Sequence, residues 1–195
     1  MLEKLKALDT RLFLYLNSKH TPFWDVIMYW ASDKLIWIPF YAFLLFIVIK
    51  HFKKKSILVI ISIALLITLS DQIASDLLKN TVKRLRPSHE AALQNLVHLS
   101  AAGAGGNYGF VSSHASNAFT LFTFLSMVLP AAYRPLKYVL LCWAVLVSYS
   151  RIYNGVHYPG DVICGGIIGA LLGWLIAKLY FYLAQKNFKA TNFRI

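Results

Sequence analysis

Long apolar runs separated by short charged segments divide the chain. The runs cover residues 35–49, 56–78, 115–130, 136–149 and 162–183. Each run comes near the roughly 20 residues that a helix needs to cross the hydrocarbon core of a bilayer. The pattern therefore predicts an all-α fold, an integral membrane helical bundle with about five transmembrane helices, six being the alternative count.

The first residues carry a different pattern, with apolar positions that recur at helical spacing between charges. Five leucines form this stripe: Leu2, Leu5, Leu8, Leu12 and Leu16. The spacing is typical of an amphipathic helix that lies in the membrane interface. Residues 21–34 are aromatic-rich but are interrupted by Pro22 and Asp25, so they predict a second interfacial or re-entrant piece.

We expect one domain over residues 1–195, in which an interfacial segment, 1–34, precedes a transmembrane bundle, 35–195. The composition supports a membrane protein, because 58% of the residues are hydrophobic and only 14% are charged. A soluble domain could not hide that much apolar surface in one core. Cys142 and Cys164 both fall within apolar runs, which favours two buried free thiols over a disulfide or a metal site.

The formal net charge of +12 raises the question of a nucleic-acid partner. The basic residues stand in short groups between apolar runs and form no continuous groove, so nucleic acid is not expected. With five spans, one side of the membrane collects nine basic residues: Lys50, Lys53, Lys54, Lys55, Arg134, Lys137, Lys186, Lys189 and Arg194. Cytoplasmic loops are rich in lysine and arginine, so this side is predicted to be cytoplasmic.

Three polar segments meet at the opposite face, which then faces the periplasm or the outside of an inner (plasma) membrane. Residues 79–87 end the second run, residues 112–114 open the third, and residues 150–161 join the fourth to the fifth. The outer-face loop, residues 80–112, lies on the same side. Polar residues with only a structural role have no reason to lie at the same end of their helices, so this convergence indicates a functional site.

The three segments carry recognisable motifs. Lys79 is followed after six residues by Arg86-Pro87; the second segment reads Val111-Ser112-Ser113-His114; and Ser150-Arg151 is followed by His157 and, four residues on, by Asp161. These motifs resemble the three signatures of the type 2 phosphatidic acid phosphatase superfamily. Those signatures read Lys, six residues, Arg-Pro; Pro-Ser-Gly-His; and Ser-Arg, five residues, His, three residues, Asp. The second motif here lacks the Pro and the Gly.

The resemblance implies a helical membrane enzyme that hydrolyses lipid phosphates through a phosphohistidine, without metal or cofactor. His157 would be the nucleophile, Asp161 its orienting carboxylate and His114 the proton donor. The phosphate would be bound by Lys79, Arg86, Ser112, Ser113 and Arg151. Taken singly, these residues also have structural explanations, such as a helix cap for Asp161.

Elementary chemistry agrees with these roles. Arginine offers a forked donor suited to phosphate, and lysine adds a point charge. A carboxylate four residues after an imidazole can fix its tautomer and leave the other nitrogen free to attack. If residues 79–86 stay helical, Lys79 and Arg86 lie two turns apart on one face. Lys83 and Arg84 are expected to meet lipid headgroups rather than the reacting phosphate.

Several questions stay open at this point. Among the substrates that the resemblance implies, we expect undecaprenyl diphosphate, with phosphatidylglycerol phosphate, phosphatidic acid and lipid A as alternatives. Phosphotransfer to another lipid and a small anion transporter are the competing functions, and the oligomeric state is open. The loop 88–110 is expected to be mobile, as a lid or a linker. The glycines at 165, 166, 169 and 173 predict close helix packing.

Overall fold

The structure is a computed structural model that describes the backbone of residues 2–191 and the side chains of residues 3–186. Its helices are α1 (Leu2–Asn17), α2 (Pro22–Ser32), α3 (Ile38–Phe52), α4 (Ser56–Asp71), α5 (Lys79–Val82), α6 (Ser113–Val128), α7 (Arg134–Tyr153) and α8 (Pro159–Thr191). A π-helical stretch, Gln72–Leu78, joins α4 to α5. The side chains of Lys189 and Arg194 lie outside the described residues.

All five predicted runs are helical, so the all-α membrane fold is confirmed. The number of spans is not. Among the described residues, three stretches are long and apolar enough to cross a membrane: Ile38–Val82, Ala131–Tyr153 and Pro159–Lys186. The first stretch contains two helices, α3 and α4. The chain turns between them at Lys53, whose φ is 50°. Helix α6 has 16 residues, roughly 24 Å, which is shorter than a hydrocarbon core of about 30 Å.

The main core lies between α3, α4, α6, α7 and α8. Val48, Val59, Phe124, Leu140 and Ala177 represent these five helices in one buried cluster. Both cysteines are free, as predicted. The expected burial is wrong, since Cys142 is exposed and Cys164 is only half-buried.

Helix α8 packs closely along α6 through small residues. A Cβ atom added to Gly165 would lie 2.6 Å from the carbonyl oxygen of Ser112, and one added to Gly173 would lie 2.6 Å from that of Thr120. Gly169 allows a similar approach, and its carbonyl accepts a hydrogen bond from Thr120 Oγ1 at 2.9 Å. The predicted packing role of these glycines is confirmed, and it holds the first turns of α6 and α8 side by side.

The N-terminal helices pack on the same end of the bundle. Phe13 of α1 is fully buried in a second cluster with Ala115 and Tyr158. Asn17 Nδ2 donates to the carbonyl oxygen of Tyr153 at 2.8 Å. Helix α1 is therefore tied to the protein as well as being amphipathic, and the interfacial position of residues 1–34 stays a prediction.

The loop 88–110 also rests on the N-terminal helices. The His98 amide donates to Asn17 Oδ1 at 2.8 Å, and the His98 ring lies 2.8 Å from Asp25 Oδ1. Leu93, in a short 3-10 turn, is buried. These contacts place the loop over the end of α1 and the start of α2.

Candidate active site

The first motif does not remain helical, so the expectation that Lys79 and Arg86 share one helix face is wrong. Helix α5 ends at Val82, and Lys83 follows in the left-handed conformation with φ of 50°. The chain after Lys83 is extended, and the Arg86 amide donates to the carbonyl oxygen of Asn107 at 3.0 Å. Arg86 reaches the site from this extended segment, which pairs with the end of the loop.

The second and third motifs are joined through the backbone. The Ser112 amide donates to the carbonyl oxygen of Asp161 at 3.0 Å, and the His157 amide donates to that of Arg151 at 3.2 Å. The start of α6, the end of α7 and the start of α8 therefore meet at one point. This is the convergence that the sequence predicts.

His157 and Asp161 form a buried pair at this point. The His157 side chain is 2% exposed and that of Asp161 is 0% exposed, and His157 Nδ1 lies 3.6 Å from Asp161 Oδ2. The same oxygen accepts a hydrogen bond from the Tyr158 amide at 3.0 Å. Because Nδ1 turns to the carboxylate, Nε2 is the ring nitrogen that can attack an electrophile.

The surroundings keep the His157 imidazole uncharged. Burial lowers the pKa of His157 well below its ordinary value, and three nearby cations lower this pKa further. These cations are Arg86, Arg151 and Lys79. A nucleophilic histidine must be neutral, so the site holds the reactive form at neutral pH.

The Lys79 ammonium is placed by a serine at the position where the family signature has glycine. Lys79 Nζ donates to Ser113 Oγ at 2.7 Å, and Ser75 Oγ lies 2.9 Å from the same hydroxyl. Ser75 belongs to the π-helical stretch, whose wider turn precedes Lys79 directly. Ser113, expected to bind phosphate, is thus a partner of the cation in this structure.

The two arginines differ in how they are held. Arg86 is buried, and its Nε donates to the Tyr108 carbonyl oxygen at 3.1 Å, which leaves the two terminal nitrogens of the fork. Arg151 Nε is buried without a hydrogen-bond partner among the described residues. A buried guanidinium donor with no protein acceptor is suited to an anionic ligand.

Ser112 and His114 stand at the start of α6. Ser112 is fully buried, and its Oγ caps the helix by accepting from the Ala115 amide at 3.4 Å. The Ser112 hydroxyl hydrogen is still available to an anion. His114 lies within the electrostatic reach of Arg151 and His157, and it lines one end of an apolar cavity of about 420 Å³.

Three charged residues of this end of the bundle were not predicted as parts of the site. Arg84 donates to Asp161 Oδ1 at 2.8 Å and to Asp9 Oδ2 at 2.7 Å. The expectation that Arg84 meets headgroups is therefore wrong. Lys34 adds positive charge near His114 and Lys79. A single sequence gives no signal for these pairs, because the partners are far apart along the chain.

Two glycines of the loop lie against the buried side chains. A Cβ added to Gly109 would lie 3.1 Å from Asp161 Oδ2 and 3.1 Å from Arg86 Cγ. Gly105, at φ +69°, stands directly against the Arg86 guanidinium. The glycine cluster thus lets the loop backbone approach the pair and its cations closely.

Comparison with known proteins agrees with this geometry. The sequence profile of the PAP2 superfamily matches residues 57–185, which include all three motifs. The chain belongs to the PAP2 superfamily. The resemblance to type 2 phosphatidic acid phosphatases is thereby confirmed, although the second PAP2 motif is altered here at Val111 and Ser113.

Two curated PAP2 relatives and one solved structure are similar over most of the chain. A lipid A 4'-phosphatase from Bacteroides thetaiotaomicron is 41% identical over 95% of this chain and 81% of its own length. A lipid A 4'-phosphatase from Porphyromonas gingivalis is 34% identical over 95% of this chain and 78% of its own. The crystal structure of Aquifex aeolicus LpxE has 28% identity and a TM-score of 0.64, covering 88% of this chain and 95% of that one.

Proposed function

We propose that this PAP2 protein hydrolyses a phosphate ester on a membrane lipid, with His157 as nucleophile. The observation that carries the proposal is the buried pair of His157 and Asp161, 3.6 Å apart, near the cations Lys79, Arg86 and Arg151, which with burial lower the pKa of His157. A transferring phosphoryl group spreads charge over its oxygens, so fixed cations stabilise its transition state. An anion transporter needs positive charge but no oriented neutral imidazole, which disfavours that alternative.

The reaction follows in two steps. His157 Nε2 attacks phosphorus, the bond from phosphorus to the lipid oxygen breaks, and His114 gives its proton to the departing oxygen. The product of this step is a phosphohistidine with Asp161 behind the ring. His114, now neutral, takes a proton from water; the water oxygen attacks phosphorus, the bond to nitrogen breaks, and inorganic phosphate leaves.

Lipid A, a phosphorylated glycolipid, is the substrate that we place first. Two relatives that match 95% of this chain carry the name lipid A 4'-phosphatase. Undecaprenyl diphosphate, the substrate expected from the sequence, becomes the second candidate. Phosphatidylglycerol phosphate and phosphatidic acid follow.

The cavity beside His114 supports a substrate with a hydrocarbon chain. The cavity has a volume of about 420 Å³, and its lining is apolar apart from Tyr41, His114, Asn117 and Trp143. It lies between α3, α4, α6 and α7 and reaches the proposed proton donor at one end. We propose that an acyl chain occupies this cavity while the phosphate meets the cations.

The site is proposed to face the periplasm or the outside of the inner membrane. The support is the set of lysines at the turn Lys53–Lys55, at the opposite ends of α3 and α4 from the motifs. A reporter fused after Ile195 is expected to read cytoplasmic. A periplasmic signal would contradict the orientation.

The direct test is phosphate release by the purified full chain in detergent, in the presence of a chelator. Lipid A, undecaprenyl diphosphate, phosphatidylglycerol phosphate and phosphatidic acid are compared under the same conditions. We expect lipid A to have the highest kcat/KM and turnover to survive chelation. Absence of phosphate release from every lipid would remove the proposed function, and an absolute metal requirement would remove the mechanism.

Filling the cavity should separate chain binding from chemistry. Ala64→Phe places a ring in the cavity beside the acyl chain, so we expect KM for the lipid to rise about tenfold, since burial of a few methylenes contributes about 0.8 kcal/mol each. Turnover of a short-chain, water-soluble phosphate ester should change little. The matched control is Leu65→Phe, at the neighbouring exposed position outside the cavity. Equal KM changes in both variants would contradict the assignment.

A further inference from the structure

Arg84 bridges two carboxylates that belong to different ends of the chain. Its Nη1 lies 2.8 Å from Asp161 Oδ1, and its Nη2 lies 2.7 Å from Asp9 Oδ2. The side chains of Arg84, Asp9 and Asp161 are 24%, 15% and 0% exposed, so water screens these pairs only in part. The bridge joins α1 to the first motif and to the start of α8.

Further contacts fix the bridge in place. The guanidinium of Arg84 lies 3.9 Å above the centre of the Tyr158 ring. The second oxygen of Asp9 accepts from the Gly160 amide at 2.7 Å, in the first turn of α8. Asp9 therefore holds both Arg84 and the peptide next to Asp161. Such an arrangement orients side chains rather than merely pairing surface charges.

We infer that Arg84 and Asp9 are positioning residues for the reaction: Arg84 orients the Asp161 carboxylate behind His157, and Asp9 holds Arg84. The inference rests on the proposed function. Among the described residues, no hydrogen bond or ion pair joins either residue to His157, so both act through Asp161. The amphipathic helix α1 thereby supplies part of the support of the active site.

The charge balance explains why two carboxylates share one arginine. Asp161 must stay negative to stabilise an imidazolium and to select the His157 tautomer. An arginine with Asp161 as its sole partner would offset that charge strongly. Asp9 takes up part of the positive charge of Arg84, so Arg84 can hold Asp161 in place while Asp161 keeps its influence on His157.

This balance predicts opposite effects of the two residues on His157. The charged and titratable groups around His157 are Lys79, Arg86, His114, Arg151 and Asp161, with Arg84 behind Asp161. Arg84→Gln removes the ion-pair partner of Asp161, which favours the imidazolium of His157 and moves the acid limb of kcat to higher pH. Asp9→Asn leaves Arg84 uncompensated, which moves the acid limb to lower pH. Shifts of about half to one pH unit are expected.

The test measures kcat and KM against pH for purified full-length variants with the lipid phosphate that the wild type hydrolyses. Arg84→Gln should lower kcat about tenfold to a hundredfold, and Asp9→Asn about threefold to tenfold, with KM nearly unchanged. Arg84→Lys keeps the charge without the fork and should recover part of kcat and the wild-type acid limb. Asparagine at position 9 can still accept from the Gly160 amide, so helix capping is preserved.

Matched controls remove the same charges nearby. Glu3→Gln removes a carboxylate from an exposed pair on α1, and Lys83→Gln removes the exposed cation next to Arg84. Both should behave like the wild type. If Arg84→Gln and Asp9→Asn also keep the wild-type kcat and acid limb while His157→Ala is inactive, the inference is overturned and the proposed function stands.

A second measurement does not need turnover. The ring of His157 can be titrated by NMR in protein with ¹⁵N-labelled histidine, and its resonance assigned by its loss in His157→Ala. We expect the pKa of His157 to rise in Arg84→Gln and to fall in Asp9→Asn. Unchanged titration in both variants would overturn the inference even if no lipid were hydrolysed, so its failure is distinct from failure of the proposed function.

Discussion

Alanine in place of His157 is expected to abolish lipid phosphate hydrolysis, with kcat falling roughly ten-thousand-fold or more. No other described side chain combines an uncharged nitrogen, full burial and a carboxylate at 3.6 Å. The cations would still bind the phosphate, so KM should change far less than kcat. The measurement is phosphate release together with quenching of enzyme and ³²P-labelled substrate in alkaline detergent, in which a phosphohistidine is stable. The wild type should retain acid-labile label and His157→Ala none.

His51→Ala is the matched control for this change. His51 lies in the last turn of α3, at the far end of that helix from the motifs, and contacts Phe52 and Tyr133. Its loss should leave both turnover and labelling intact. Near wild-type turnover in His157→Ala would remove His157 as nucleophile, and label retained at another residue would identify a different one.

The helices of this fold could be predicted from the sequence because the bilayer demands apolar runs. Every predicted run, such as 56–78 or 162–183, became a helix. The meeting of the three motifs could be predicted too, since alternating spans bring every second helix end to one face. The backbone hydrogen bond from the Ser112 amide to the Asp161 carbonyl oxygen joins two of the motifs at that face.

The number of membrane spans could not be predicted from hydropathy alone. Helix α6 carries buried polar groups that bond to its neighbours: Ser70 Oγ lies 2.7 Å from Ser116 Oγ, and Thr120 bonds to the Gly169 carbonyl. A helix enclosed by other helices needs internal partners more than an apolar surface. Its short, polar sequence therefore reflects packing in the middle of the bundle.

The support of the site could not be predicted for a different reason. Arg84 and Asp9 are 75 residues apart in sequence, and no local pattern links them. Besides the leucine stripe, α1 has a second face at positions 9, 13 and 17. In the structure Phe13 and Asn17 of that face are almost fully buried, and the Asp9 side chain is half-buried, with 15% of its surface exposed. That second face has helical spacing as regular as that of the leucines.

The departure at Ser113 also acquires a physical meaning only in three dimensions. Glycine would open space beside the phosphate, whereas Ser113 Oγ accepts from Lys79 Nζ at 2.7 Å. The hydroxyl thus holds the ammonium of Lys79, the residue that directly follows the π-helical turn. The motif is altered in sequence while the cation keeps a defined position.

After the loss of His157, we expect the loss of Arg151 to lower kcat/KM most. Its Nε is buried and unpaired among the described residues, and its backbone carbonyl holds the amide of His157 at 3.2 Å. Arg151 therefore has an unpaired buried donor next to the segment that carries His157, which supports its proposed role in binding the phosphate. Buried donors aimed at the developing charge contribute more than solvated ones, because no water has to be displaced during the reaction.

We expect Arg151→Ala to lower kcat/KM about a thousandfold, and Arg151→Lys to recover only a small part, because an ammonium cannot bind two phosphate oxygens in a fixed plane. Steady-state phosphate release measures both, and the level of labelled phosphohistidine separates slow formation from slow breakdown. Arg134→Ala, at the other end of α7, is the control and should match the wild type. An Arg151→Ala enzyme within about tenfold of the wild type would place the phosphate on Arg86 and Lys79 instead, since an arginine that stabilises the transition state contributes far more than that.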